Sequence, residues 1–404
     1  MKNIQILHII AYLKGAYFQT PILSLFFLAQ GVPLSVIVAS NIFWSVGAFA
    51  GEVPTGIFAD KFGQKISITL GYLLEAIGIL LVVLFPSSVM LVIYFAISGI
   101  AYSFLSGSEE ALMYESVKKS KKEKYQRVYG KFISNEMIGF MSATALAGFV
   151  YAKWGAVAFN PLLLLTAASF LSAAVLSRFL VNEKSALVSD DEGSKMFIIL
   201  KESFTLIRRN KTVWALTLVS LLTISGEYLM QAVYQPYFSL NGVPAVWLGL
   251  VLTIGTIANI VATRYVHKLE DRFTLEKILL FLNLPLGALF VLLGIFTNPV
   301  FLIGAYIVMG GLFNLQMPVI SDYINARASS HIRTTVLSGV SFVKRFSGIV
   351  IAGILTLVVH VYDIQTALIT QGIYLMSGIV ISYFILVRCG CTHRIHKSSY
   401  KIEV

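Results

Sequence analysis

Apolar residues gather along the chain into twelve stretches of membrane-crossing length, separated by short polar and charged intervals. The pattern predicts helices over residues 6–29, 35–57, 66–85, 89–111, 129–152, 157–179, 213–236, 245–266, 275–297, 300–322, 335–361 and 364–387. About 20 apolar residues in helical form cross the hydrocarbon layer, so twelve spans need roughly 240 residues. The 404 residues of the chain supply them. The first apolar run is span-length and lacks a small-residue cleavage site, so it reads as a span rather than a leader.

Composition agrees with the pattern. The chain is 57% hydrophobic and 13% charged, where soluble domains are nearer a quarter charged. A net charge of +11 raises the question of nucleic acid, and the placement of the charge answers it. Lys61, Lys65, Lys118, Lys119, Lys121, Lys122, Lys124 and Arg127 fall in intervals on one side, and Lys153 alone stands out on the other. The basic residues of the central interval, of later loops on the same side and of the tail continue this bias. The positive-inside rule then places both termini in the cytoplasm. Cys389 and Cys391 lie in the basic tail, imply no disulfide framework and have too few neighbouring ligands for a metal site.

The longest polar interval divides the chain. Residues 1–181 read as one six-helix bundle, 182–211 as a cytoplasmic central loop with a surface helix over Met196–Ile207, 212–388 as a second six-helix bundle, and 389–404 as a basic tail. The halves repeat at an offset of about 210 residues. Asp60-Lys61-Phe62 corresponds to Asp271-Arg272-Phe273, and Gly130 and Gly139 correspond to Gly339 and Gly348. The expected fold is all-α: twelve transmembrane helices in two pseudo-symmetric bundles.

The interval Gly51–Lys65 (GEVPTGIFADKFGQK) carries more than a connection requires. It is expected to form a tight charged loop, with Gly56 and Gly63 allowing close approach or positive φ, and Asp60 capping the next helix or facing a neighbouring one. Its Gly56, Asp60, Gly63 and Lys65 resemble the signature of the major facilitator superfamily between helices 2 and 3. Glu52-Val53-Pro54-Thr55-Gly56 resembles a Gram-positive drug-efflux branch that includes class P tetracycline efflux proteins. The resemblance implies alternating access in the plasma membrane. It also implies proton-coupled export of an amphipathic drug, with tetracycline the first substrate to consider. The chain departs from the antiporter pattern in span 5, which reads Ser142-Ala143-Thr144-Ala145-Leu146-Ala147-Gly148, and lacks the family's arginine in span 4.

Ionisable residues in apolar spans are costly, and by default mark function. Glu227 shares a face of span 7 with Ser220, Thr223, Gln231 and Tyr234, which reads as a cavity lining or, alternatively, as an acid paired with Lys14. Glu52, Glu227, Glu136 and Glu109 are the candidates for proton coupling. Adjacent helical positions point about 100° apart, so at most one of Glu109 and Glu110 faces inward. Glu75 reads equally as a proton site or a structural partner. The internal offset places Glu52 near Arg264, and Glu136 on Arg345, suggesting ion pairs Glu52–Arg345 (or Lys344) and Glu136–Arg264 that close the cytoplasmic side. Glu227, Gln231, Tyr234, Gln235, Asn314 and Gln316 are the candidates for contact with substrate. No P-loop, metal-ligand cluster or Ser–His–acid set is present, so neither ATP chemistry nor hydrolysis is expected. No cofactor is expected beyond the proton gradient. The partners are small molecules, protons and lipid, and one complete two-half chain is expected to act as a monomer. Transport of a sugar, peptide or siderophore, or a non-transporting sensor of the same fold, are the alternatives.

Overall fold

The computed structural model describes residues 2–120, 124–182, 211–313, 315–327, 349–350 and 353–389. The expected surface helix Met196–Ile207 and most of span 11 lie outside them. Helices are the only regular elements among the described residues: α1 (Lys2–Gly15), α2 (Leu23–Ala29), α3 (Leu34–Phe62), α4 (Gln64–Leu84), α5 (Ser88–Ser120), α6 (Tyr125–Trp154) and α7 (Phe159–Ser177), then α8 (Lys211–Leu240), α9 (Trp247–Tyr265), α10 (His267–Arg272), α11 (Leu275–Ile295), α12 (Pro299–Leu312), α13 (Gln316–Arg327) and α14 (Ile364–Arg388). Residues 353–361 are also helical. Eight helical stretches among the described residues are long and apolar enough to cross a membrane, and one of them, Tyr125–Ser177, contains both α6 and α7. Large apolar side chains such as Leu84, Phe85, Val157 and Val300 are exposed, which suits surfaces that face lipid.

The chain forms two compact units: Met1–Gly193 with Pro244–Thr253, and Ser194–Val243 with Ile254–Val404. In the first, α3 packs on α5, α4 on α5 and α7, and α1 on α6. In the second, α8 and α11 pack on α14. There Val213, Leu216, Val219, Leu279 and Ile379 form a common core.

The first span is not one helix. It is broken between Gly15 and Leu23. Pro21 has no N–H to give a continuing helix, and its ring opposes the preceding turn. Irregular backbone at membrane depth needs partners from neighbouring helices, and α7 supplies them. Thr166 Oγ1 accepts from the Gln19 N–H at 3.2 Å, and Ser169 Oγ donates to the Leu13 carbonyl at 2.9 Å.

The interval Gly51–Lys65 differs from the expected loop. Helix α3 continues through Glu52 and Pro54 to Phe62, the turn is made at Gly63, and α4 begins at Gln64. Gly63 has φ +94°, a conformation that favours glycine. Gly56 makes no turn: it is helical, and among the described residues none comes within 4 Å of a Cβ placed there.

Candidate functional site

The charged centre of the first unit begins with helix contact. A Cβ at Gly15 would lie 1.9 Å from the Glu136 carbonyl oxygen, and one at Gly139 would lie 2.1 Å from the Tyr12 carbonyl oxygen. Only glycine lets α1 and α6 approach so closely. The approach brings Lys14, in the last turn of α1, beside Glu136 of α6 and Glu109 of α5. Lys14 Nζ lies 3.0 Å from Glu109 Oε2 and 3.3 Å from Glu136 Oε2. Tyr72 of α4 donates its hydroxyl to the other Glu109 oxygen. The ring of Phe132 lies 5.5 Å from the ammonium and closes one side.

Two carboxylates and one ammonium leave the cluster with one formal negative charge. The acids are not equivalent: the Glu109 side chain is 3% exposed, and that of Glu136 31%. Glu110 points away, as the helical angle requires, and accepts from the Tyr129 hydroxyl at 3.1 Å. Lys14, one partner considered for Glu227, is thus engaged inside its own unit. Glu136 was expected opposite Arg264. Within its unit it is held by Lys14, and Arg264 is exposed on α9.

At the turn between α3 and α4, Asp60 lies inside α3 and does not cap α4, whose N-cap is Gly63 with no side-chain bond. The partner of the turn is Asn182, which the sequence did not single out. Its Oδ1 accepts from the Lys65 N–H at 2.9 Å, and its amide occupies the space that a Cβ at Gly63 would need. The preceding residue is also held. Asn3 accepts from the Val181 N–H at 3.0 Å and donates to the Val181 carbonyl at 2.9 Å. Two asparagines thereby fix the end of the first bundle against α1 and the α3–α4 turn. Glu52 is exposed on α3, and its expected partners Arg345 and Lys344 lie outside the described residues.

In the second unit the face of α8 divides. Ser220 and Thr223 are buried, and Thr223 donates to Asn283 Oδ1 of α11 at 3.1 Å, so this end of the stripe holds helices together. Glu227 is half-buried, Gln231 exposed, and Tyr234 and Gln235 buried. Tyr306 of α12 was missed by the sequence reading. Its ring meets that of Tyr234 at a tilt of 38° with centroids 5.0 Å apart and meets Phe238 edge-on at 5.7 Å, in the neighbourhood of Glu227. No signal of spacing on α12 alone could identify it, because its role comes from α8. Gln316 is buried, with its amide nitrogen 3.4 Å from the Phe313 carbonyl and its amide oxygen without a hydrogen-bond partner among the described residues. Asn314 lies outside them.

Comparison with known proteins places this architecture. The sequence model of the Major Facilitator Superfamily matches residues 7–353. An uncharacterised MFS-type transporter of Bacillus subtilis (strain 168), YxaM, is 22% identical over 344 residues, covering 82% of each chain. An uncharacterised MFS-type transporter of Methanocaldococcus jannaschii is 28% identical over 120 residues, covering 30% of this chain and 28% of its own length. Among solved structures, a mutant of the nucleoside transporter NupG superposes with a TM-score of 0.81 at 16% identity, over 95% of this chain and 99% of that one. A D-xylose–proton symporter superposes at 0.68 with 14% identity, over 95% and 96%. At such identities the likeness of structures speaks for the fold. With the family match spanning most of the sequence, the chain is a multi-pass membrane protein that belongs to the Major Facilitator Superfamily, a family of secondary transporters and not of enzymes.

Proposed function

We propose that this transporter couples the movement of protons to export of an amphipathic small molecule, with both termini in the cytoplasm. The observation that carries the reading is the Lys14–Glu109–Glu136 cluster. Two acids share one ammonium inside an apolar bundle, so one proton more or less changes the local charge balance from neutral to negative. Charges buried in a membrane interior are costly, and persist where they serve ion pathways or proton relays. In the second unit, Glu227 beside Tyr306, Tyr234 and Gln235 offers an acid, hydroxyls and aromatic faces together, a chemistry suited to a substrate with polar and ring-like parts.

The choice of a drug, and of tetracycline first, rests on the resemblance of Glu52–Gly56 to the efflux branch. The relatives compared add no support for that branch. The test is tetracycline uptake into inverted membrane vesicles under an imposed pH gradient. Gradient-dependent uptake, abolished by a protonophore and lost in Glu227→Gln, is the expected result. Absence of uptake by the unaltered protein would defeat tetracycline as substrate. A panel including nucleosides and pentoses, cargo of the transporters with similar folds, would then be assayed the same way.

A further inference from the structure

A second polar centre lies around the break in the first span, just after Lys14. Glu75 of α4 is 3% exposed. Its Oε1 accepts from Ser98 Oγ of α5 at 2.8 Å, and its Oε2 has no hydrogen-bond partner among the described residues. Gln19, in the break itself, is also 3% exposed. Its amide nitrogen donates to the Tyr94 hydroxyl of α5 at 2.7 Å, and its amide oxygen likewise has no partner among the described residues. Tyr94 and Ser98 are four residues apart on one face of α5, about 6 Å along its axis. The two orphaned oxygens therefore belong to side chains anchored on neighbouring turns of the same helix face. With the Gln19 amide turned so that its nitrogen meets Tyr94, each is an acceptor, and what both lack is one hydrogen.

We propose that Glu75 is a proton-binding site, carrying its proton on Oε2 and donating it, directly or through one water, to the Gln19 amide oxygen at the break in the first span. One added hydrogen turns two unsatisfied acceptors into a single hydrogen bond, removing the cost of leaving each buried group unpaired. The site rests on the proton-coupled reading above, and extends it to a residue outside the shared-lysine cluster. The ionisable groups that act on Glu75 are Lys14 and Tyr17 of the first span and Tyr94 of α5. Helix α7, packed against α4, carries no ionisable residue, and those of α3 lie toward its end at Glu52, Asp60 and Lys61. When the proton leaves to water, the carboxylate and the Gln19 oxygen face each other as two acceptors. The anion then competes with Glu109 and Glu136 for Lys14. Proton release at Glu75 thereby acts on the salt-bridged cluster through one shared ammonium located next to the break.

The test is infrared spectroscopy of the purified full chain in a maltoside detergent, which has no ester carbonyl to mask the band and needs no substrate. A carbonyl-stretch band of a protonated carboxylic acid is expected at neutral pH in potassium buffer. Glu75→Gln should remove it, Glu109→Gln should leave it, and Ser98→Ala should shift its frequency by removing the bond to Oε1. Glutamine keeps the size of the side chain and its bond with Ser98, and a thermal melt of each variant reports that it is folded. Survival of the band in folded Glu75→Gln, or its absence from the unaltered protein, overturns the assignment. Loss of the band on exchanging potassium for sodium also overturns it, since the oxygens would then hold a metal cation in place of the proton. A positive spectrum with no gradient-driven uptake of tetracycline or of any solute in the panel would refute the export reading and leave the Glu75 site standing.

Discussion

Lys14 in the first unit and Asn283 in the second are both polar side chains held among apolar helices, and their neighbours differ in kind. Lys14 is met by two carboxylates and the hydroxyl of Tyr72 reaches one of them. Asn283 is met by the hydroxyl of Thr223, and nearby Gln371 of α14 donates to Ser225 Oγ at 2.6 Å. Among the described residues, the first interior adds formal charge to its neutral bonds across helices, while the side-chain bonds found across helices in the second are made by neutral amides and hydroxyls. The contrast separates two demands on a transporter. Charge that can be gained and lost suits coupling to protons. Among the described residues of the second unit, rings, amides and the half-buried acid Glu227 together suit a surface that must hold and then release a solute.

The largest effect should come from breaking the charged side. Lys14→Met leaves two acids facing each other without their cation, and should lower stability by ~3–5 kcal/mol, seen as a much lower unfolding temperature in detergent. Adding Glu109→Gln and Glu136→Gln to it should recover most of the loss. If the triple variant is no more stable than the single, the cluster is not held by charge. Next comes the helix contact that builds the cluster. Gly139→Ala forces α1 and α6 apart and should cost ~1–3 kcal/mol, whereas Gly130→Ala, on the same helix with no described residue within 4 Å of a Cβ there, should have little effect. Equal melts for the two would contradict the close approach.

On the neutral side the effects should be smaller. Thr223→Val keeps the shape of the side chain and removes the bond to Asn283. It should cost about 0.6 kcal/mol and no more than about 1.7, measured by the same melts. A loss as large as that of Lys14→Met would erase the distinction between the units. The smallest effect is at a helix start. Asp363 caps α14 by accepting from the Thr366 N–H at 2.7 Å, and this bonding holds its carboxyl below the ordinary value. Asp363→Ala should cost ~0.5 kcal/mol, at the low end for a cap because the site is exposed. A lowered acid stabilises fully above the ordinary carboxylate range, and that stabilisation fades as pH falls through the lowered value. The unaltered protein and Asp363→Ala should therefore converge in strong acid.

Much of this was readable in the residues. Span-length apolar runs are a direct consequence of bilayer thickness, so most helices lie where the pattern puts them. The acids of the first unit stood out because a charge in an apolar run is conspicuous. Lys14 stood out for the same reason, but its pairing with them did not. Lys14 meets Glu109 and Glu136 because glycines on α1 and α6 let backbones approach, and such a contact leaves no periodic mark along one helix. The break at residues 16–22 was read as continuous helix, since Tyr17, Gln19 and Pro21 sit inside a stretch apolar enough to span, and the groups that relieve it, Thr166 and Ser169, come from 147 and 156 residues away. The loop expected at Gly51–Lys65 proved to be helix up to its last turn, because charged residues end a span without ending a helix.

Gly63 has a consequence for variation in the gene. A side chain there would be forced into a backbone geometry that L-residues resist, and into the volume already filled by the Asn182 amide. The two obstacles are independent, so shortening Asn182 lifts one of them alone. In a saturation library this codon should behave as all-or-none, tolerating only synonymous change, while the codon for Gly56 seven positions earlier accepts alanine or serine.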